Sequence, residues 1–134
     1  MGRYVRWITH EGVKMLFVNC NSLPEADVAA AVVEMKQEFL KERYCPPTLL
    51  ALTKMGATLR VLKTLREADA AIKATGIPEG PVAMVGLMPL QKKEIEFTRR
   101  ERHYEIYCCD TVVRAKDWLA RKAGERSWCC GLGV

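Results

Sequence analysis

The sequence contains no run of about 18 consecutive apolar residues, the length that a helix needs to cross a membrane. No apolar segment follows the early basic residues Arg3 and Arg6, so no secretory signal is predicted. Histidine is scarce, and neither His10 nor His103 has neighbours at the spacing of a metal site. These absences predict a cytoplasmic protein with no transmembrane segment, no metal site and no cofactor.

The motifs of common catalytic sites are also missing. The sequence has no Gly-x-Gly-x-x-Gly, no Walker-type phosphate loop and no Gly-x-Ser-x-Gly elbow. Neighbouring acids such as Glu94 and Glu96 lie among basic residues, which is typical of solvated ion pairs on a surface. No catalytic residue is therefore predicted, and we expect the protein not to be an enzyme.

Cysteine is present but lacks the spacing of a metal or redox motif. None of the six cysteines forms a Cys-x-x-Cys pair, and adjacent cysteines cannot easily direct both sulfurs to one tetrahedral ion. We expect Cys20 and one of Cys108 and Cys109 to be small apolar core residues. A zinc or redox role is the alternative.

The net charge of +5 is modest, and the basic residues are spread along the chain. Where they cluster, at 92–93 and 99–102, the second cluster includes Glu101. Such a mixture is typical of a solvated helix face, so no nucleic-acid partner is predicted.

An apolar content of 49% and a charged content of 28% are ordinary for a globular domain. A chain of 134 residues fits one domain, which we place at residues 3–124, with residues 125–134 as a flexible C-terminal tail. Within the domain, strands are predicted at residues 3–9, 13–19, 48–53, 81–86 and 104–109. The first two form a hairpin, because Gly12 can supply the positive φ of a turn.

Four helices are predicted between and after these strands, at residues 24–43, 58–75, 87–100 and 111–124. In the first, Val28, Val32, Met35 and Phe39 recur at helical spacing. Ser22 and Glu25 have the spacing of a capping box at its start. The element order is therefore ββαβαβαβα, an α/β fold with a mixed, mostly parallel sheet of about five strands.

Three segments resemble the SpoIIAA-like proteins, which are related to the STAS domain of anti-sigma-factor antagonists. They are residues 46–57 (PPTLLALTKMGA), 81–92 (PVAMVGLMPLQK) and 114–119 (RAKDWL). The resemblance implies a STAS-type sheet of about five strands with four helices. Anti-sigma-factor antagonists carry a phosphorylatable serine in an Asp-Ser pair, but the matching residues 53–58 contain only the hydroxyls of Thr53 and Thr58.

In open α/β sheets, ligands collect beyond the carboxyl ends of the parallel strands. We call the residues predicted there the rim. They are Asn21, Thr53, Lys54, Met55, Gly56, Thr58, Gly86, Leu87 and Met88. Helix starts at this edge also favour anions.

Two functions remain open at this point. The first is a regulatory or protein-interaction module that contacts its partner through the rim. The second is a small binding protein for an apolar or anionic ligand, in which methionines line an adaptable pocket. Those methionines are Met15, Met55, Met84 and Met88. In either case a homodimer can form if the edge strand at residues 3–9 pairs with its twin.

Overall fold

The computed structural model describes the backbone of residues 4–54, 59–78, 80–87, 93 and 106–133. This part of the chain contains five strands and three helices. The strands are β1 (Val5–His10), β2 (Val13–Asn19), β3 (Thr48–Ala51), β4 (Val82–Val85) and β5 (Ile106–Cys109). The helices are α1 (Glu25–Glu42), α2 (Leu59–Ala74) and α3 (Val112–Gly133). Each strand lies within or beside a segment that the sequence predicted to be extended.

The five strands form one sheet in the order β1-β2-β3-β4-β5. β1 pairs antiparallel with β2, and the remaining neighbours are parallel, with Leu16 opposite Thr48 and Thr48 opposite Val82. The prediction of a mixed, mostly parallel sheet with an N-terminal hairpin is therefore confirmed. The hairpin turns at Glu11 and Gly12, which both have positive φ, at 51° and 78°.

Alternation along the strands divides the core between the two faces of the sheet. Leu16 and Val18 lie on the face covered by α1 and α2, whereas Met15 and Phe17 lie on the face covered by α3. Right-handed crossovers between successive parallel strands place their helices on the same face, so α1 and α2 share one side. α3 follows the last strand and covers the other side.

The predicted apolar stripe of α1 is confirmed, because Val28, Val32, Met35 and Phe39 are all buried. The predicted capping box is wrong. Pro24 occupies the N-cap position without a side-chain hydrogen bond, and Ser22 has a left-handed φ of 59°. The Ser22 amide donates to the carbonyl of Thr53 at 2.8 Å, which holds Ser22 in the loop before the helix.

α3 begins as predicted but extends further. The hydroxyl of Thr111 accepts a hydrogen bond from the amide of Arg114 at 3.2 Å, which is an N-cap contact. The helix then continues past Gly124, where the sequence predicted its end, to Gly133. The domain boundary at residue 124 and the looseness of residues 125–134 stay predictions.

The helix predicted at residues 87–100 falls almost entirely outside the described residues. Leu87 precedes that gap and is not helical, whereas Lys93 is. The four-helix, STAS-type arrangement therefore stays a prediction, and the general α/β class is what the structure establishes. Within the described residues, no helix is long and apolar enough to cross a membrane.

Candidate functional site

The carboxyl ends of the parallel strands lie at one edge of the sheet, where the sequence predicted the rim. β2 ends at Asn19, β3 at Ala51 and β4 at Val85. Backbone hydrogen bonds between neighbouring segments continue for one residue beyond the ends of β2 and β3. The amide of Cys20 donates to the carbonyl of Ala51, and the amide of Leu52 donates to the carbonyl of Val85, both at 2.8 Å. The loops that follow therefore start side by side.

Asn21 and Thr53 join the loop after β2 to the loop after β3. The amide of Thr53 donates to the side-chain oxygen Oδ1 of Asn21 at 2.9 Å. In return, the carbonyl of Thr53 accepts from the amide of Ser22 at 2.8 Å. The amide of Asn21 donates to Oδ1 of Asn19 at 3.1 Å, which fixes the start of the same loop. Two bonds thus connect segments that are distant in sequence.

Gly86 brings the end of β4 against the same threonine. Its φ is +88°, and a Cβ at this position would overlap Thr53, lying 2.8 Å from Thr53 Cα. Its amide donates to the carbonyl of Cys109 at 3.3 Å, which connects the loop to the end of β5. A glycine is required here both for the left-handed backbone and for the close approach.

The structure brings together three of the predicted rim residues, Asn21, Thr53 and Gly86. Asn21, Thr53 and Lys54 are exposed, and Gly86 is half-buried. Leu87 was predicted to be a contact residue but is buried in the core beneath α1 and α2, because its apolar side chain packs inward. Met55, Gly56, Thr58 and Met88 lie outside the described residues.

The charges at the rim have mixed signs. Lys54 is exposed, and its φ is left-handed at 55°. The first turn of α1 already carries the carboxylates of Glu25 and Asp27, where the helix dipole favours negative charge. A further anion at this helix start would be repelled by them, so the start of α1 does not suit an anionic ligand.

Cys20 lies directly under the rim and is fully buried. Desolvation by burial raises the pKa of its thiol to about 12. A thiol that stays protonated at neutral pH is a poor nucleophile and a poor metal ligand. Its prediction as an apolar core residue is confirmed, as is that of Cys109, which is buried on the α3 face.

A second group of polar side chains, which was not predicted from the sequence, lies at the opposite end of β2. Nε2 of His10 lies 2.7 Å from Oδ1 of Asp117 on α3 and 4.0 Å from Oε1 of Glu11. His10 and Asp117 are 107 positions apart in sequence, so no spacing rule could pair them. The alternation of β1 was the available signal, because it places Arg6, Ile8 and His10 on one face.

The methionines predicted to line one pocket do not share a site. Met15 is fully buried on the α3 face, and Met84 is buried on the face of α1 and α2. The sheet separates these two residues, so the prediction that they line one pocket is wrong. Met55 and Met88 lie outside the described residues.

A cavity of about 410 Å³ opens between the carboxyl ends of α1 and α2, away from the rim. It is lined by Leu40, Arg43, Thr75, Gly76, Ile77 and Pro78. Its lining therefore combines apolar residues with one basic residue, Arg43. Nothing in the sequence indicated this cavity beyond the prediction that both helices end here.

Comparison of the chain with family models, with curated proteins and with solved structures gave no match in any of the three.

Proposed function

We propose that the protein is a non-enzymatic, SpoIIAA-like or STAS-like regulatory module that contacts a protein partner through the rim. The observation that carries the proposal is the connection of three successive loops at one edge of the sheet. Asn21, Thr53 and Gly86 hold these loops against one another. Binding a partner costs less free energy when the contact loops are already ordered.

The exposure and the charges of the rim support a protein as the partner. Asn21, Thr53 and Lys54 are exposed, and Glu25 and Asp27 add negative charge beside them. A surface with both signs of charge suits a protein with complementary charges better than a nucleic acid. Cys20, Cys45, Cys108 and Cys109 form no disulfide, which fits the proposed reducing, cytoplasmic location.

Affinity capture from cells that naturally express the protein tests the proposal. Tagged wild-type chain is compared with Lys54→Glu at the rim. The matched control is Lys41→Glu, which reverses an exposed charge near the other end of α1. We expect a partner that is retained by the wild type and by Lys41→Glu but lost by Lys54→Glu. Identical protein lists for all three chains would contradict a rim contact.

A ligand-binding role is the alternative, and the cavity between α1 and α2 is the observation that favours it. A volume of about 410 Å³ lies in the range of sites for small molecules, and a basic lining residue such as Arg43 favours an anionic group. Native mass spectrometry of freshly purified protein tests this role. A bound mass that Arg43→Ala fails to retain would support it, and the bare chain mass in both proteins would count against it.

Self-association is a further proposal, and the edge strand β1 supports it. In the described part of the chain β1 pairs only with β2, so its outer side is open to pairing. The carbonyl of Tyr4 accepts from the amide of Asn19, and alternation then directs the amide of Thr9 outward. Thr9→Pro should convert a dimer to a monomer in sedimentation measurements. A wild type that is monomeric at every concentration would contradict the proposal.

A further inference from the structure

Three ionisable side chains meet where the β1–β2 hairpin approaches α3. We call His10, Glu11 and Asp117 the hairpin cluster. His10 is the last residue of β1, Glu11 begins the turn, and Asp117 lies in the second turn of α3. Ile8, two residues before His10, packs against the apolar cluster beneath α3. Because side chains alternate along a strand, His10 points to the same face and reaches the helix.

The spacing of the ligand atoms fits a metal ion. Nε2 of His10, one carboxylate oxygen of Glu11 and one of Asp117 all lie within 4.8 Å of one another. Metal–ligand bonds of about 2.0–2.2 Å in a tetrahedral site place ligand atoms roughly 3.3 Å apart. The observed separations, from 2.7 Å to less than 4.8 Å, bracket that value. The shortest separation, between Nε2 of His10 and Oδ1 of Asp117, is a hydrogen bond in which Nε2–H donates to the carboxylate. Metal binding replaces that hydrogen bond, because Nε2 gives up its proton, the neutral imidazole keeps a proton on Nδ1, and a small rotation of Asp117 makes room for the ion.

The donor set determines the class of ion. One imidazole nitrogen and two carboxylates suit zinc and its neighbours in the first transition series better than magnesium or calcium, which prefer oxygen ligands alone. The side chains are 27%, 66% and 56% exposed for His10, Glu11 and Asp117, so water can reach a fourth coordination position. Two carboxylates also balance the charge of a divalent cation.

We propose that the hairpin cluster binds one divalent transition-metal ion of the zinc class, with water as the fourth ligand. Two ligands come from the hairpin and one comes from α3. A bound ion would therefore connect the β1–β2 hairpin, at the edge of the sheet, to α3. An ion that binds the folded chain alone also stabilises it by mass action.

Titration of the full chain with Co²⁺ and with Zn²⁺ tests the proposal. We expect one bound ion per chain and a visible Co²⁺ spectrum without thiolate-to-cobalt charge transfer, because no cysteine belongs to the cluster. A spectrum dominated by that charge transfer would place the ion on cysteine and overturn the proposal. Absence of binding at millimolar metal would overturn it as well.

Two variants link binding to the named side chains. His10→Ala should weaken Zn²⁺ binding at least about tenfold. Glu11→Asn should also weaken it, although Asn-Gly is a favoured sequence for a two-residue hairpin turn with positive φ at both positions. Because that variant removes the carboxylate and keeps a favoured turn sequence, we expect its fold to be unchanged and its loss of affinity to come from the missing carboxylate. Glu67→Gln, an exposed carboxylate on α2, is the matched control and should bind as the wild type does. Unchanged affinity in both cluster variants would overturn the proposal.

Discussion

At the carboxyl ends of the parallel strands, Asn21 and Thr53 form a hydrogen bond that holds the loops together, and Gly86 packs against them. At the other end of β2, His10, Glu11 and Asp117 meet on the surface, where solvent reaches all three side chains. Changes to the residues that hold the rim loops together, Asn21, Thr53 and Gly86, should therefore alter the stability of the fold. Changes in the hairpin cluster should leave the fold intact and alter only what binds there.

Two glycine variants, one at the rim and one in the β1–β2 hairpin, give the largest expected difference in the free energy of unfolding. Gly86→Ala combines a left-handed φ with overlap against Thr53, and we expect it to lower the free energy of unfolding by about 3 kcal/mol. Gly12→Ala has a similar φ of +78° but nothing within 4 Å of the new Cβ, so about 1 kcal/mol is expected. Urea denaturation of both variants checks this. Equal losses in the free energy of unfolding would show that the close contact between Gly86 and Thr53 does not constrain the rim.

The pH dependence of stability tests the burial of Cys20 under the rim. Its pKa is raised from 9.0 to about 12 in the folded chain, so the unfolded chain ionises first as pH rises. The contribution of the neutral Cys20 thiol to the free energy of unfolding is full below pH 9. It is lost between pH 9 and about 12, at about 1.4 kcal/mol per pH unit. Free energies of unfolding measured from pH 8 to 11 should therefore fall less steeply in Cys20→Ala. If the free energies of unfolding of the wild type and of Cys20→Ala fall equally with pH, the burial of the Cys20 thiol is contradicted.

Asn21→Ala isolates one bond of the rim. The variant leaves the amide of Thr53 without its acceptor, and we expect a loss of about 1 kcal/mol in the free energy of unfolding. The control is Gln37→Ala on the exposed side of α1, which should change stability little. A loss no larger than that of Gln37→Ala would show that the Asn21 bond contributes nothing.

Asp117→Asn should have the smallest effect on stability. It removes a charge from an exposed pair with His10 but keeps an oxygen that can accept a hydrogen bond. Exposed pairs of this kind contribute about 0.5 kcal/mol or less. Thermal denaturation in the absence of added metal, beside the control Glu67→Gln, checks the expectation. A loss as large as that expected for Gly86→Ala would show that the rim and the hairpin cluster do not differ in their contribution to stability.

Periodicity predicted the scaffold because burial repeats along each element. The stripe from Val28 to Phe39 and the apolar segment 48–53, which contains β3 (Thr48–Ala51), are visible in the sequence without any knowledge of their neighbours. The general rule for parallel strands also placed Asn21, Thr53 and Gly86 at one edge. Leu87 was misplaced, because a strand end does not show whether the next side chain turns inward.

Contacts between distant segments were beyond sequence reasoning. The pairing of His10 with Asp117 depends on which face α3 covers, and the strand pattern alone leaves both faces possible. The failure of the Ser22 capping box has the same origin. The amide of Ser22 bonds to the carbonyl of Thr53, a tertiary contact that overrides a local preference.

Amide hydrogen exchange of Thr53 measures whether the loops after β2 and β3 are held together at the rim. We expect slow exchange of the Thr53 and Ser22 amides in the wild type, with protection of Thr53 lost first in Asn21→Ala. Exchange of the wild-type Thr53 amide at the rate of an unstructured peptide would contradict it.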